Sequence, residues 1–334
     1  MILIQASRNV GIVGTGSYVP EKVVTNFDLE KMVETSDEWI KTRTGIEQRR
    51  IAEENMPTSE IAYIAGKRAI EDAGLTPEDI DLIIVATITP DMYSPSTACR
   101  VQAKLGASKA AAFDVNAACT GLIYGLTVAS QFILTGYYKN ALVIGADELS
   151  RILEWTDRNT CVLFGDGAGA VVLQAVDNGY GILSTNLGAD GSMGDVLTIP
   201  SCYIPEHEKE KRKPENYRTI WMDGSEVFKF AVRVMANATN RALDDLNLDI
   251  NDVNLIVPHQ ANIRIIEGAA KRLGVSVNKI YSNIHRYGNM SAASIAVALD
   301  EAVKEGRINK GDLIVLVGFG GGLTWGSAIV RWSK

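Results

Sequence analysis

Three residues suited to thioester chemistry sit in loops of small side chains. Cys119 stands in DVNAACTGLIYG (residues 114–125), His259 in IVPHQAN and Asn289 in RYGNMSAAS. Cys119 falls where a strand-like run, AAFDV, gives way to a helix-like run, GLIYGLTVASQFIL. A cysteine at that junction meets the free N–H groups and dipole of a helix N-terminus, which favour a thiolate. The dipole supplies only ~0.3–1 kcal/mol, less than one pKa unit, so a second contributor is needed, and His259 is the candidate. On this reading Cys119 is the nucleophile and the first thiol to alkylate, ahead of Cys99, Cys161 and Cys202. The competing reading is a small, inert core cysteine.

The elements that must position these residues are written twice. RAIEDAGLTPEDIDLII (68–84) aligns without a gap to RALDDLNLDINDVNLIV (241–257), with seven of 17 positions identical. Gly11-Ile12 is echoed by Gly181-Ile182, ALVIG by LIVLVG, and FGDGAGAVVL by FGGGLTWGSAIV. Such self-similarity reports a duplicated unit, and the halves run over 1–176 and 177–334. Each half alternates strands and helices. Runs such as LIIVAT and LIVLVG suit central strands covered on both faces, and the helix at 120–135 is apolar nearly all round, so it is expected to be buried. These patterns predict an α/β fold of internally duplicated βαβαβ-type halves with two buried central helices.

The repeat also pairs the chemical residues. Cys119 lies 17 residues before Gly136 and Asn289 lies 17 before Gly306, so both are expected to start central helices facing one cleft. The same alignment sets Ala86 opposite His259, on a strand-end loop where functional groups of α/β layers collect.

Composition excludes several classes. The 334 residues carry a net charge of -7, which argues against a nucleic-acid binder but leaves room for a local basic patch serving an acidic partner. The four cysteines show neither CxxC pairing nor zinc-ligand spacing, so no metal site is expected and a reducing, cytoplasmic setting is. The opening MILIQASRNVGIVG lacks the charged leader and apolar stretch of a signal peptide. No apolar run approaches the ~20 residues of a membrane span. Of the three histidines, His207 sits in a charged run, PEHEKEKRKPE, read as a solvated flap, and His285 is assigned no catalytic role.

Together, DVNAACTG, VPHQAN, RYGNMSAAS, the loop GFGGGLTWGSA and the stretch TSDEWIKTRTGIEQRR (35–50) resemble the thiolase-fold condensing enzymes, and within them the β-ketoacyl-acyl-carrier-protein synthase III family. The resemblance runs from about residue 10 to the C-terminus. It implies a layered α/β/α/β/α thiolase fold, a homodimer, and the step that starts type II fatty-acid synthesis. An acyl-CoA primer is passed to Cys119 and then condenses with malonyl-acyl-carrier protein, releasing CO2 and CoA, with no cofactor. Thiolases carry a second cysteine in the glycine-rich loop, where GFGGGLTWG has none, and elongating synthases place a second histidine where Asn289 stands.

The family's roles carry over residue by residue. His259 and Asn289 would donate to the oxygen of the malonyl-derived enolate, and the backbone N–H groups of Cys119 and Gly321 would form the oxyanion hole of the acyl-transfer step. Trp39 and Arg158 would sandwich the CoA adenine, Arg43 would meet phosphate, Thr35 and Asn262 would bond along CoA or its pantetheine arm, and Gly224 and Phe228 would line the tunnel. Arg264, Lys271 and Arg272 would form a docking patch for the acidic carrier protein. In the loop DMYSPSTAC, which in this family reaches the partner's acyl pocket, the small Ser94 with Tyr93 beside it points to a roomier pocket and to branched or longer primers. Other readings keep the same residues: a synthase-III-like acyltransferase, a polyketide- or quinolone-type condensing enzyme, or a non-catalytic subunit that only binds acyl thioesters. A cysteine hydrolase fits poorly, because Asn289 would orient no base.

Overall fold

A computed structural model describes residues 9–211 and 213–334; the opening residues 1–8, part of the stretch read above for a signal peptide, lie outside the described residues. The first half builds a mixed five-stranded sheet from β1 (Asn9–Tyr18), β2 (Leu82–Ala86), β3 (Ala111–Val115), β4 (Ala141–Glu148) and β5 (Asp166–Val176), in the order β1-β5-β4-β2-β3. β2 runs parallel to β3 and β4, while β5 is antiparallel to β4 and β1. The second half repeats the plan with β6 (Gly181–Ala189), β7 (Leu255–Pro258), β8 (Leu313–Gly320) and β9 (Thr324–Arg331), in the order β7-β8-β9-β6. Its counterpart of β3 has shrunk to a single parallel bridge between Ile256 and Ile280.

Helices fill the spaces around both sheets. They are α1 (Asp37–Thr44), α2 (Thr58–Asp72), α3 (Thr97–Leu105), α4 (Gly121–Leu134), α5 (Gly224–Asp244), α6 (Ile263–Leu273) and α7 (Ala293–Lys304). Leu122, Leu126 and Ile133 of α4 and Ile295 and Leu299 of α7 share one buried cluster with Ile84, Val143 and Val171 of the first sheet and Val257, Ile314 and Leu316 of the second. The two central helices therefore lie between the sheets. A second cluster packs α5 and α6 on the outside of the second sheet, and a third packs α2 and α3 on the outside of the first. The result is five layers, α/β/α/β/α. The mid-layer leucines are fully buried, and truncating one to alanine costs ~2–5 kcal/mol.

The gapless repeat has a local physical basis. After α2 the chain turns through Gly74 at φ +69, and after α5 through Asn247, its repeat partner, at φ +53. Glycine and asparagine are the residues that tolerate the left-handed region. Two residues on, Thr76 and Asp79 form a capping box around one 3₁₀ turn; two residues past Asn247, Asp249 and Asp252 form the matching box around the other. Both turns deliver the chain into a buried parallel strand, β2 or β7.

Candidate functional site

The nucleophile candidate is held by a strained, tightly packed turn. Ala118, Cys119 and Thr120 form one 3₁₀ turn that runs directly into α4, with Ala118 at φ +46. Thr120 Oγ1 donates to the Ala117 carbonyl at 2.6 Å, and Thr324 Oγ1 reaches the same carbonyl at 3.1 Å, so β9 braces the turn. A Cβ on Gly121 would stand 2.8 Å from Ala86 Cβ, and one on Gly320 would stand 2.6 Å from the Cys119 nitrogen. Glycine at these two positions lets α4 and the glycine-rich loop close on the turn.

His259 follows β7 directly; its N–H donates to the Val317 carbonyl at 2.8 Å. Its ring meets Phe319 edge-on at 5.4 Å, is fully buried, and has no partner at either nitrogen. Burial pushes its pKa down to about 3, so the imidazole is neutral. Asn289 does not start a helix, contrary to the reading from the repeat. It lies four residues before α7, pinned as a bridge: its N–H donates to the Leu163 carbonyl at 2.9 Å and its carbonyl accepts from Gly165 N at 3.0 Å. The second half spends those residues on a loop that turns at Gly288 (φ +65) and Ser291 (φ +46). The Asn289 Oδ1 accepts the Ser291 N–H at 2.8 Å, which leaves Nδ2 as the free, donating end.

These three residues line one cavity of about 1230 Å³, together with Ser291, Gly320 and Gly321. The thiolate expectation is corrected here. Burial pushes the Cys119 thiol up to about 12, and the nearby Asp147 carboxylate raises it further. A neutral His259 offers no positive charge to oppose that. Cys119 therefore rests as a thiol. Cys202 is exposed, and hydrogen bonds from Tyr93 and Ser201 lower its pKa.

A second cavity of about 580 Å³ shares Leu163, Met222, Gly224 and Asn262 with the first, and is also bordered by Trp39, Arg43 and Arg158. Phe228 lines the larger cavity. The Arg158 guanidinium lies over the Trp39 ring at 5.0 Å and donates to the Glu34 carbonyl at 2.9 Å. A flat ring between them needs ~7 Å, two contacts of ~3.5 Å, so the pair is closed as it stands. The Asn262 Oδ1 caps α6 by accepting from Arg264 N at 2.9 Å, and its Nδ2 donates to the Arg43 carbonyl at 3.0 Å. The Thr35 hydroxyl is buried without a partner, and the residue borders neither of these two cavities.

Arg264, Lys271 and Arg272 are all exposed on α6, and Arg264 reaches over the Phe228 ring at 5.7 Å, beside the larger cavity. Tyr93 stands 74% exposed at the rim of that cavity with its hydroxyl against Ser201 Oγ, whereas Ser94 does not line it. His207 and His285 are exposed. Among the described residues no group of three His, Cys, Asp or Glu side chains is placed to hold a metal ion, and no helix is long and apolar enough to cross a membrane.

Sequence reasoning missed Asp147. It is fully buried at the end of β4, accepting from Thr87 Oγ1 at 3.0 Å, Ile88 N at 2.8 Å, Thr89 Oγ1 at 3.1 Å and Ala292 N at 3.2 Å. The signal was an acid ending an apolar strand run, ALVIGAD, with two threonines at the end of the neighbouring strand.

Five layers built twice around a cysteine, a histidine and an asparagine in one cavity define a thiolase-fold condensing enzyme, and comparison with known proteins agrees. The profile of 3-Oxoacyl-[acyl-carrier-protein (ACP)] synthase III matches residues 113–191, and that of its C-terminal part matches 243–332. The chain is 60% identical over 326 residues to the beta-ketoacyl-[acyl-carrier-protein] synthase III of Desulfitobacterium hafniense (strain Y51), covering 98% of both chains. It superposes on the crystal structure of the 3-oxoacyl-[acyl-carrier-protein] synthase III of Aquifex aeolicus VF5 with a TM-score of 0.90 at 49% identity, covering 97% of this chain and 100% of that one. The priming beta-ketosynthase of the R1128 polyketide pathway is similar at 33% identity and a TM-score of 0.91, covering 98% and 97%. The chain belongs to the 3-oxoacyl-acyl-carrier-protein synthase III family: it is an acyltransferase, a condensing enzyme of fatty-acid initiation.

Proposed function

We propose that Cys119 takes an acyl group from an acyl-CoA primer and that the resulting thioester is attacked by the enolate of malonyl-acyl-carrier protein, giving β-ketoacyl-acyl-carrier protein, CO2 and CoA. The observation that carries this reading is the pair of neutral donors beside Cys119. His259 is uncharged with both nitrogens free, and Asn289 has its oxygen occupied and its Nδ2 open. Such a pair suits the charge that builds on a thioester oxygen as CO2 leaves, and one donor of this kind is worth ~10²–10³ in rate. The N–H groups of Cys119 and Gly321 serve the tetrahedral adduct on the sulfur. Because decarboxylation itself generates the carbanion, the chemistry calls for no resident cofactor.

The smaller cavity suits the nucleotide end of CoA. Trp39 and Arg158 part to admit the adenine, Arg43 meets phosphate, the remaining Asn262 N–H bonds along the arm, and Gly224 and Phe228 border the passage to Cys119. Arg264, Lys271 and Arg272 steer the acidic carrier protein toward that passage. The apolar end of the larger cavity, lined by Ile88, Met92, Leu149 and Ile152, supports branched or longer primers. The working form is a cytoplasmic homodimer. Incubation with acyl-CoA and malonyl-acyl-carrier protein tests the reading: CO2 and a β-keto product support it, whereas hydrolysis to free acid, or binding without turnover, contradicts it. Likeness to a priming polyketide synthase favours a second reading in which the carrier protein belongs to a polyketide system; carrier proteins of the two kinds, offered in competition, separate them.

A further inference from the structure

Acylation of Cys119 must dispose of a proton, and His259 is poorly placed to take it. The imidazole is wholly buried, neutral, and has no partner to orient it as a base. A second group, the Asp147 carboxylate, lies near enough to Cys119 to raise its thiol pKa. Of the two Asp147 oxygens, Oδ1 accepts three hydrogen bonds, from Thr87, Ile88 and Thr89, while Oδ2 takes the Ala292 N–H at 3.2 Å. Asp147 is set behind the cavity wall. Ser291, which does line the cavity, stands between it and Cys119, its hydroxyl bordering both. That hydroxyl is buried and, although near enough to Cys119 and Asp147 to favour the charged form of each, makes no well-formed hydrogen bond to either, a state a buried polar group does not keep without a function or a ligand. Ser291 is held there at φ +46 by its N–H bond to Asn289 Oδ1, and a non-glycine residue in that region is a strain that collects at working sites.

We propose that Ser291 and Asp147 form the proton exit of Cys119, a role that rests on Cys119 being the acyl carrier. As Sγ bonds to the thioester carbonyl carbon, its proton passes to Ser291 Oγ and the Ser291 proton passes to Asp147 Oδ2. The carbonyl electron pair moves onto oxygen. Collapse of the adduct breaks the bond to the CoA sulfur, which takes the proton back through Ser291, leaving acyl-Cys119 and an ionised Asp147. Burial raises Asp147 to about 6, close to working pH, where a general base is most effective. Because Cys119 lies near 12, the proton moves with the attack and not before it. The groups facing Asp147 are Thr87, Ile88 and Thr89 after β2, Ser291 and Ala292 before α7, and Cys119 before α4, so the thiol is the titratable one among them. The neighbouring Glu148 engages Thr58 and Arg151 instead.

Single-turnover acylation, followed by quenching and intact-mass detection across pH 5–8, tests the proposal in the full chain. The wild-type rate should fall as pH drops through about 6, where Asp147 takes up a proton. Ser291→Ala keeps the N–H that holds Asn289; it should acylate ~10²-fold more slowly and lose the low-pH limb, and Asp147→Asn should lose that limb too. A Ser291→Ala rate equal to wild type, or a slower rate with an unchanged limb, overturns the proposal. So does a flat wild-type profile, whatever the variants do. If instead no acyl mass forms on wild type at any pH, it is the acyl-carrier reading of Cys119 that fails.

Discussion

Asn289→Asp isolates the donor that the account places on the enolate oxygen. Its backbone pins, to Leu163 O at 2.9 Å and from Gly165 N at 3.0 Å, do not depend on the side chain. An aspartate keeps an oxygen for the Ser291 N–H, now 2.8 Å from Oδ1, so the loop retains its anchor. What is lost is the free Nδ2, replaced by an oxygen that cannot donate when ionised and that repels the developing oxyanion. The loss of one donor alone is ~2.7–4 kcal/mol, or ~10²–10³ in decarboxylation, and repulsion adds to it. Asn289→Ala removes the donor without the repulsion but strands a buried Ser291 N–H, at ~1–3 kcal/mol of stability. Asn289→Asp should still form the acyl-enzyme, because it keeps the Ser291 anchor and the lost amide N–H serves the malonyl oxygen and not the thiol; Asn289→Ala should form it more slowly, since the anchor of Ser291 goes with the side chain. The assay has two arms: intact-mass detection of acyl transfer from CoA, and labelled CO2 release from malonyl-carrier protein. Variants that cannot be acylated yet decarboxylate normally would refute this division of labour.

Three further outcomes follow from the geometry. Trp39→Ala should raise KM for acyl-CoA about tenfold with little change in kcat, since the stacking it offers is worth roughly 1 kcal/mol or more and is uniform binding; an unchanged KM would remove the adenine from the Trp39–Arg158 pair. Arg264→Glu and Lys271→Glu should raise apparent KM for malonyl-carrier protein, most at low salt, and spare acylation from CoA; equal KM values at every ionic strength would leave these charges as solvated surface. With limiting iodoacetamide at pH 7, the exposed Cys202, whose pKa is lowered, should alkylate before the buried Cys119, whose thiol lies near 12; peptide mapping that finds Cys119 modified first would contradict the description of the resting thiol.

The duplication was readable because it is local. Residues 68–84 and 241–257 encode the same left-handed turn and the same capping box, and such short-range chemistry survives as sequence identity. The buried central helix was readable from its lack of a polar face. Asn289 was placed correctly in the cavity but wrongly on a helix. Counting back from Gly306 cannot reveal that the second half turns at Gly288 and Ser291 before α7 begins. The protonation of Cys119 was misread for a different reason. A helix terminus is visible in sequence, whereas desolvation depends on how completely Gly320, Phe319 and the Asn289 loop close around the sulfur.

The central claim is that Cys119 carries the acyl group. Wild-type protein mixed with acyl-CoA alone, without malonyl-carrier protein, should gain the mass of one acyl group within a single turnover. Peptide mapping should place that mass on Cys119, and hydroxylamine should remove it, as expected of a thioester. Acyl mass on Cys99, Cys161 or Cys202, or turnover to a β-keto product by Cys119→Ala at the wild-type rate, would contradict the account.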